Sequence, residues 1–169
     1  MSGKKVFRIG VLSDTHDREL PEAMLNDFKK VDMIIHVGDF CELSVYKALQ
    51  KIKPVHAVSG NMDSQELCAQ LSRKEIITCG KFHIGLFHGE GAPQGILERV
   101  QNRFKGVKVD AVIFGHSHVP FNENIDGVLY FNPGSPTDDI YAPYLSYGIM
   151  ELSGEDIAGR IVKVKEPHG

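Results

Sequence analysis

The sequence predicts an α/β domain with a largely parallel half followed by an antiparallel half. Two observations carry this: β-rich apolar runs alternate three times with helix-spaced segments in the first part of the chain, and from Lys74 onward strand-like runs are separated by tight turns alone. The 169 residues and 42% hydrophobic content suit one domain with a real core, read here as spanning 1–169.

The elements follow in order. "VFRIGVLSD" (Val6 to Asp14) is a buried strand, and "ELPEAMLNDFKK" (Glu19 to Lys30) puts Leu20, Met24, Leu25 and Phe28 at helical spacing. "DMIIHVGD" (Asp32 to Asp39) leads into a helix over Glu42 to Ile52, and "PVHAVSGN" (Pro54 to Asn61) into a polar turn and a short helix. Such strand-to-helix units imply a parallel sheet covered by helices. "EIITCGKFHIGLFHGE" then reads as a hairpin turning at Cys79-Gly80-Lys81, followed by a helix over Gly95 to Phe104 and a buried strand, "DAVIFGH". "GVLYFNPGS", "SYGIMEL" and "GRIVKVKE" read as antiparallel strands with turns at Pro133-Gly134 and Ser153-Gly154.

A formal charge of −3 and the lack of a dense Lys/Arg run exclude an extended nucleic-acid groove as the main feature. No run approaches the ~18 apolar residues of a membrane span. The start reads as a first strand and not a secretion signal, and Cys41, Cys68 and Cys79 fall in no zinc-finger or CxxC spacing. Both point to the reducing cytoplasm.

Ligands of open α/β sheets bind beyond the carboxyl ends of the strands. There the sequence places Asp14 and His16, Asp39, Asn61, His88, and the pair His116 and His118. Residues two apart on extended chain point to one side, which predicts a common centre for Asp14 with His16 and for His116 with His118. Gly38, Gly60, Gly89 and Gly115 leave room for close backbone approach. Two carboxylates, four imidazoles and one amide exceed one tetrahedral zinc and suit two divalent ions sharing a carboxylate. The ions would leave a local charge of about +2, enough to draw a phosphate despite the negative chain.

With "SDTH" (13–16), "HVGD" (36–39), "GNMD" (60–63), "FHG" (87–89), "GHSH" (115–118) and "NPGS" (132–135) in order, the chain resembles the calcineurin-like metallophosphoesterases, in particular the small YfcE-like phosphodiesterase branch. The resemblance implies a two-sheet αββα sandwich with mixed sheets. It implies one metal on Asp14, His16, Asp39 and His118 and another on Asp39, Asn61, His88 and His116, with Asp39 bridging. It further implies hydrolysis of a small phosphodiester by a hydroxide between the ions. Mn²⁺ heads the candidate ions; Fe²⁺, Co²⁺, Ni²⁺ and Zn²⁺ accept the same donors. Relatives are often dimers or larger, so a homo-oligomer (dimer or tetramer) is a further implication.

Three departures from the family pattern bear on substrate. Met62 follows Gly-Asn where several branches have His, and a thioether cannot protonate a leaving oxygen, so good leaving groups are predicted. Glu90 stands where many relatives have a second His of His-Gly-His. The loop Thr137 to Tyr144 has Asp138 and Asp139 but no Lys or Arg, so phosphate neutralisation is predicted to rest on the metals alone.

Plainer readings apply elsewhere. His36 is either a ligand support or a satisfied core histidine, His56 and His83 lie inside strands, and His168 is in the tail. Cys41 is a structural neighbour of hard-donor ligands, Asp17 and Asp63 are turn or supporting residues, and Asn132 to Ser135 form a tight turn supporting the metal loops. Two other functions compete with the diesterase: a protein-interaction scaffold of this fold, like the retromer subunit, and a phosphomonoesterase. The full ligand set favours catalysis.

Overall fold

The computed structural model describes residues 3 and 5–164. Two five-stranded sheets are built from β1 (Phe7–Leu12), β2 (Met33–His36), β3 (Val55–Ala57), β4 (Lys74–Cys79), β5 (Phe82–Phe87), β6 (Ala111–Ile113), β7 (Phe121–Ile125), β8 (Val128–Asn132), β9 (Ser146–Ser153) and β10 (Asp156–Lys163). The first sheet has the order β10-β9-β1-β2-β3 and the second β4-β5-β6-β8-β7. Helices α1 (Glu22–Phe28), α2 (Leu43–Gln50) and α3 (Gln65–Gln70) follow the first three strands, and α4 (Ile96–Arg103) joins β5 to β6.

Alternation along the strands explains the layers. Ile9, Val11 and Ile35 from the first sheet meet Ile84, Leu86, Ile113 and Phe131 from the second in one dry core. The opposite face of the first sheet packs Leu12 and Ile34 against Met24, Phe28, Leu49 and Leu67 of its helices. The outer face of the second packs Val112 and Phe114 against Ile96, Val100 and Phe104. This is the αββα sandwich with mixed sheets that the resemblance implied. Glycines set two helix contacts: a Cβ at Gly10 would lie 2.6 Å from the Phe28 ring, and one at Gly85 2.5 Å from Phe104.

Local differences from expectation have physical causes. Helix α1 starts at Glu22 because Pro21, with φ −59° and ψ 133°, caps it and disfavours helix at Leu20. Strand β7 escapes the apolar pattern because its sequence, FNENI, is mostly polar; it pairs with β8 through Asp126-Gly127, both at positive φ (51° and 84°), a two-residue hairpin turn. Pro133-Gly134 is not a hairpin turn: β8 lies in the second sheet and β9 in the first, so this segment crosses between sheets. Strand β10 ends at Lys163; Lys165 and Glu166 of the predicted strand, and His168, lie outside the described residues. Among the described residues no helix is long and apolar enough to cross a membrane.

Candidate metal centre

The parallel strands β1, β2, β5 and β6 end side by side, and each hands its chain to a loop carrying a predicted ligand. Asp14, His16 and His118 offer ligand atoms that all lie within 4.8 Å of one another, and Asp39, His88 and His116 form a second such group. Asn61 lines the same pocket. Each group draws on both sheets: Asp14, His16 and Asp39 follow strands of the first, while His88, His116 and His118 follow strands of the second.

The predicted reason for convergence needs correction. Asp14, His16, Asp39, His116 and His118 adopt left-handed backbone, φ 56°, 48°, 62°, 70° and 61°. They are therefore not on extended chain, and successive tight turns, not the pleat, aim them. Such backbone costs of order 1–3 kcal/mol per residue and persists only where surroundings enforce it. The enforcement is visible. Asp14 N–H donates to Gly38 O (2.9 Å) and His16 N–H to Asp39 O (2.8 Å). Glycine is required where these loops touch: a Cβ on Gly60 would stand 2.2 Å from Asp39 Oδ1, and one on Gly115 2.0 Å from Ser13 Oγ.

The donors are oriented for a cation. Asp14 is fully buried; its Oδ2 accepts from Ser13 Oγ (2.8 Å) and His116 N–H (3.0 Å), whereas Oδ1 has no hydrogen-bond partner. That bare oxygen lies 3.3 Å from His118 Nε2 and 3.6 Å from His88 Nε2, so Asp14 stands between the two groups. Asp39 accepts from Met62 N–H at Oδ1 (2.8 Å) and turns Oδ2 toward His88 Nε2 at 3.2 Å, an approach without hydrogen-bond geometry. His88 Nδ1 donates to Val37 O (2.8 Å), which leaves the buried Nε2, without a hydrogen-bond partner, aimed at the carboxylates. His116 Nε2 donates to Gly91 O (2.7 Å), so its Nδ1 is the nitrogen left to face a cation. His16 Nδ1 contacts Cys41 Sγ at 3.4 Å. Buried carboxylate oxygens facing imidazole nitrogens, which present lone pairs once their protons leave, form a donor set that suits a divalent ion.

The charge state agrees. Burial lowers the His88 pKa, but the Asp14 and Asp39 carboxylates outweigh it and raise it to about 9. His118 behaves alike: burial lowers it, and Asp14 and Asp138 lift it to about 9. Asp39, despite burial that raises it, is held below the ordinary carboxylate range by His88 and the Met62 N–H. The carboxylates thus demand positive charge.

Asp63 and Ser135 take the supporting places expected of them, and Asp138 and Arg18 add two that were not evident from sequence. Asp63 accepts four backbone N–H groups, from Asp39 (3.0 Å), Phe40 (2.6 Å), Cys41 (2.9 Å) and Gly60 (2.6 Å), and so ties the Asp39 loop to the Asn61 loop. Its only signal was a carboxylate closing "GNMD". Asp138 binds His118 Nδ1, and Ser135 Oγ donates to Asp14 O (2.8 Å) while accepting from Asp138 N–H (2.9 Å). Arg18 lines the pocket and donates to Thr137 O (2.9 Å) and Asp139 (3.0 Å). A cation from a distant segment therefore stands at the pocket wall, its charge paired with Asp139.

Other residues resolve plainly. His36 is a satisfied core histidine: Nδ1 accepts from Gly38 N–H (3.0 Å), Nε2 meets Thr15 Oγ1 (2.9 Å), and the ring stacks on Phe40. Burial and the charge of His88 hold its pKa well below the usual value, so it stays neutral. The Cys41 thiol is pushed up to about 11, by burial first and then by Asp39 and Asp63, and Cys41 belongs to neither donor group. Glu90 pairs with Arg103 (2.7 Å) on α4 and does not line the pocket. Asn132 Nδ2 donates to Gly115 O (3.2 Å) and Ser117 Oγ (3.1 Å), so the "NPGS" turn does brace the metal loop.

Residues 7–155 match the calcineurin-like phosphoesterase superfamily domain, and the chain belongs to that family. It is 40% identical over 164 residues to a probable metallophosphoesterase of Methanocaldococcus jannaschii, covering 94% of this chain and 82% of the relative. A phosphodiesterase of the same archaeon is 32% identical over 143 residues, covering 76% and 83%. Among solved structures, Vacuolar Protein Sorting 29 from Cryptosporidium parvum superposes with a TM-score of 0.81 at 23% identity over 96% and 94% of the chains, a likeness of fold alone.

Proposed function

We propose that this protein is a binuclear, divalent-metal-dependent phosphodiesterase for small substrates, with Asp14, His16, Asp39, Asn61, His88, His116 and His118 as the ligand set. The observation that carries the reading is the pair of adjoining donor groups with unpartnered Asp14 Oδ1 and His88 Nε2 at their junction. Asp39 as the bridging carboxylate remains part of this proposal; the second donor group contains it. Mn²⁺ heads the candidate ions, and Fe²⁺, Co²⁺, Ni²⁺ and Zn²⁺ suit the same donors.

When bound, two such ions supply an acidified water as nucleophile and neutralise charge growing on the phosphoryl oxygens. The chain's own residues do the rest. Val37 O, Gly91 O and Asp138 fix the tautomers of His88, His116 and His118, so that each presents a lone pair to the centre. Arg18 provides a cation at the pocket wall, tempered by Asp139. Met62, exposed at the same pocket, offers no proton to the departing oxygen. The unpaired cysteines support a cytoplasmic location as part of this reading.

Purified protein, stripped of metal and reloaded with Mn²⁺, is assayed on bis-(nitrophenyl) phosphate and on nitrophenyl phosphate. Faster turnover of the diester, dependent on metal and abolished by His88→Ala in a folded chain, is expected. A monoester preference transfers the assignment to a phosphomonoesterase; no turnover and less than one bound ion per chain support the scaffold instead.

A further inference from the structure

We propose that the rim beside this centre is a recognition wall for a flat aromatic group on one arm of the substrate, with Tyr141 as its stacking platform. The inference rests on the phosphodiesterase reading and narrows its substrate class to aryl-bearing or nucleobase-bearing diesters.

Single exposed apolar side chains are ordinary on a protein surface. Here three of the six large ones among the described residues, Met62, Ile140 and Tyr141, line the one pocket that also holds Asp39, His116 and His118. They are 57%, 69% and 78% exposed, so no core packing accounts for them. An apolar wall facing a few convergent polar groups is the form of a small-molecule site, and this pocket of about 330 Å³ suits one.

The wall is held in place from the metal side. Asp138 Oδ1 accepts the N–H groups of Ile140 (2.9 Å) and Tyr141 (3.3 Å), and its Oδ2 binds the ligand His118. One carboxylate thus sets both a ligand and the platform. The Tyr141 ring lies 6.5 Å from the His118 ring at 71°, next to the first donor group. Arg18 pins the start of the same loop through Thr137 O and Asp139. Because Asp139 offsets Arg18, the side chains add little positive charge for a dianion. A monoanionic diester with an apolar arm fits this balance better than a phosphomonoester.

Isothermal titration of the Mn²⁺-loaded protein with phenylphosphonate and methylphosphonate, whose carbon–phosphorus bonds resist hydrolysis, reads the wall without turnover. Stacking predicts ~10-fold tighter binding of the phenyl compound. Tyr141→Phe should keep that preference and Tyr141→Ala should reduce it to about unity. Equal affinity in the wild type, no binding of either compound, or a preference that survives Tyr141→Ala overturns the proposal. In parallel, methyl and phenyl esters of nitrophenyl phosphate share a leaving group and should show the same preference in KM. If the phosphonate preference holds while neither diester turns over, the wall stands and the phosphodiesterase reading falls.

Discussion

His118 is held between two carboxylates: Asp138 binds its Nδ1, and Asp14 Oδ1 stands 3.3 Å from its Nε2. An imidazole fixed on one nitrogen is a better and better-aimed ligand on the other. Asp138→Asn keeps an oxygen for the N–H groups of Ile140 and Tyr141 but loses the anionic acceptor. Metal affinity, measured by competitive chelation, should fall ~10- to 100-fold with the fold intact. Unaltered affinity would remove Asp138 from the support of the centre.

Asp63 holds four backbone N–H groups of two loops. Asp63→Ala should lower unfolding stability by about 3 kcal/mol, since each stranded donor in a partly buried loop carries part of the usual penalty. The urea midpoint should drop without a change in slope. A loss within ~0.5 kcal/mol, the range of an ordinary surface substitution, would show that water replaces the carboxylate.

The raised histidines give the metal-free chain a distinct pH response. His88 and His118 have folded pKa values of about 9 against an ordinary 6.5, burial being outweighed by carboxylates. Their protonation therefore stabilises the metal-free fold fully below about pH 6.5, and that contribution disappears as pH rises through 9. Denaturation in chelator should show stability falling across this window. Ion binding at pH 7.5 must displace those protons, so calorimetry in buffers of different ionisation enthalpy should report proton release. Zero release would mean the imidazoles are already neutral.

Met62 predicts dependence on the leaving group. With no proton donor at that position, rates on aryl diesters should fall steeply as leaving-group pKa rises, and Met62→His should recover ~10²-fold on the poorest leaving groups. A rate indifferent to leaving-group pKa would place a general acid elsewhere in the pocket.

The residues gathered at the two donor groups were legible because Asp, Asn and His at strand ends serve little else at that density, and β-rich runs punctuated by Gly-Asp, Gly-Asn and Gly-His mark those ends. Their aiming was not legible from periodicity. Period-two reasoning assigned His116 and His118 to one face, whereas left-handed backbone at both sends them to different donor groups, the division that the family resemblance implied. The polar strand Phe121–Ile125 was invisible because a partly exposed edge needs no apolar alternation. Asp138 and Arg18 were missed for another reason: each acts on a segment far away in sequence, His118 and the Thr137–Asp139 loop respectively. Only the crossing from β8 to β9 brings them together.

Because each donor group takes side chains from both sheets, an ion bound there is also a rivet through the seam of the sandwich. Chelation should then loosen the layers along that margin first. Amide hydrogens just past β1, β2, β5 and β6 would exchange sooner than those at the far ends of the same strands, and the protein would report its ion content as stiffness.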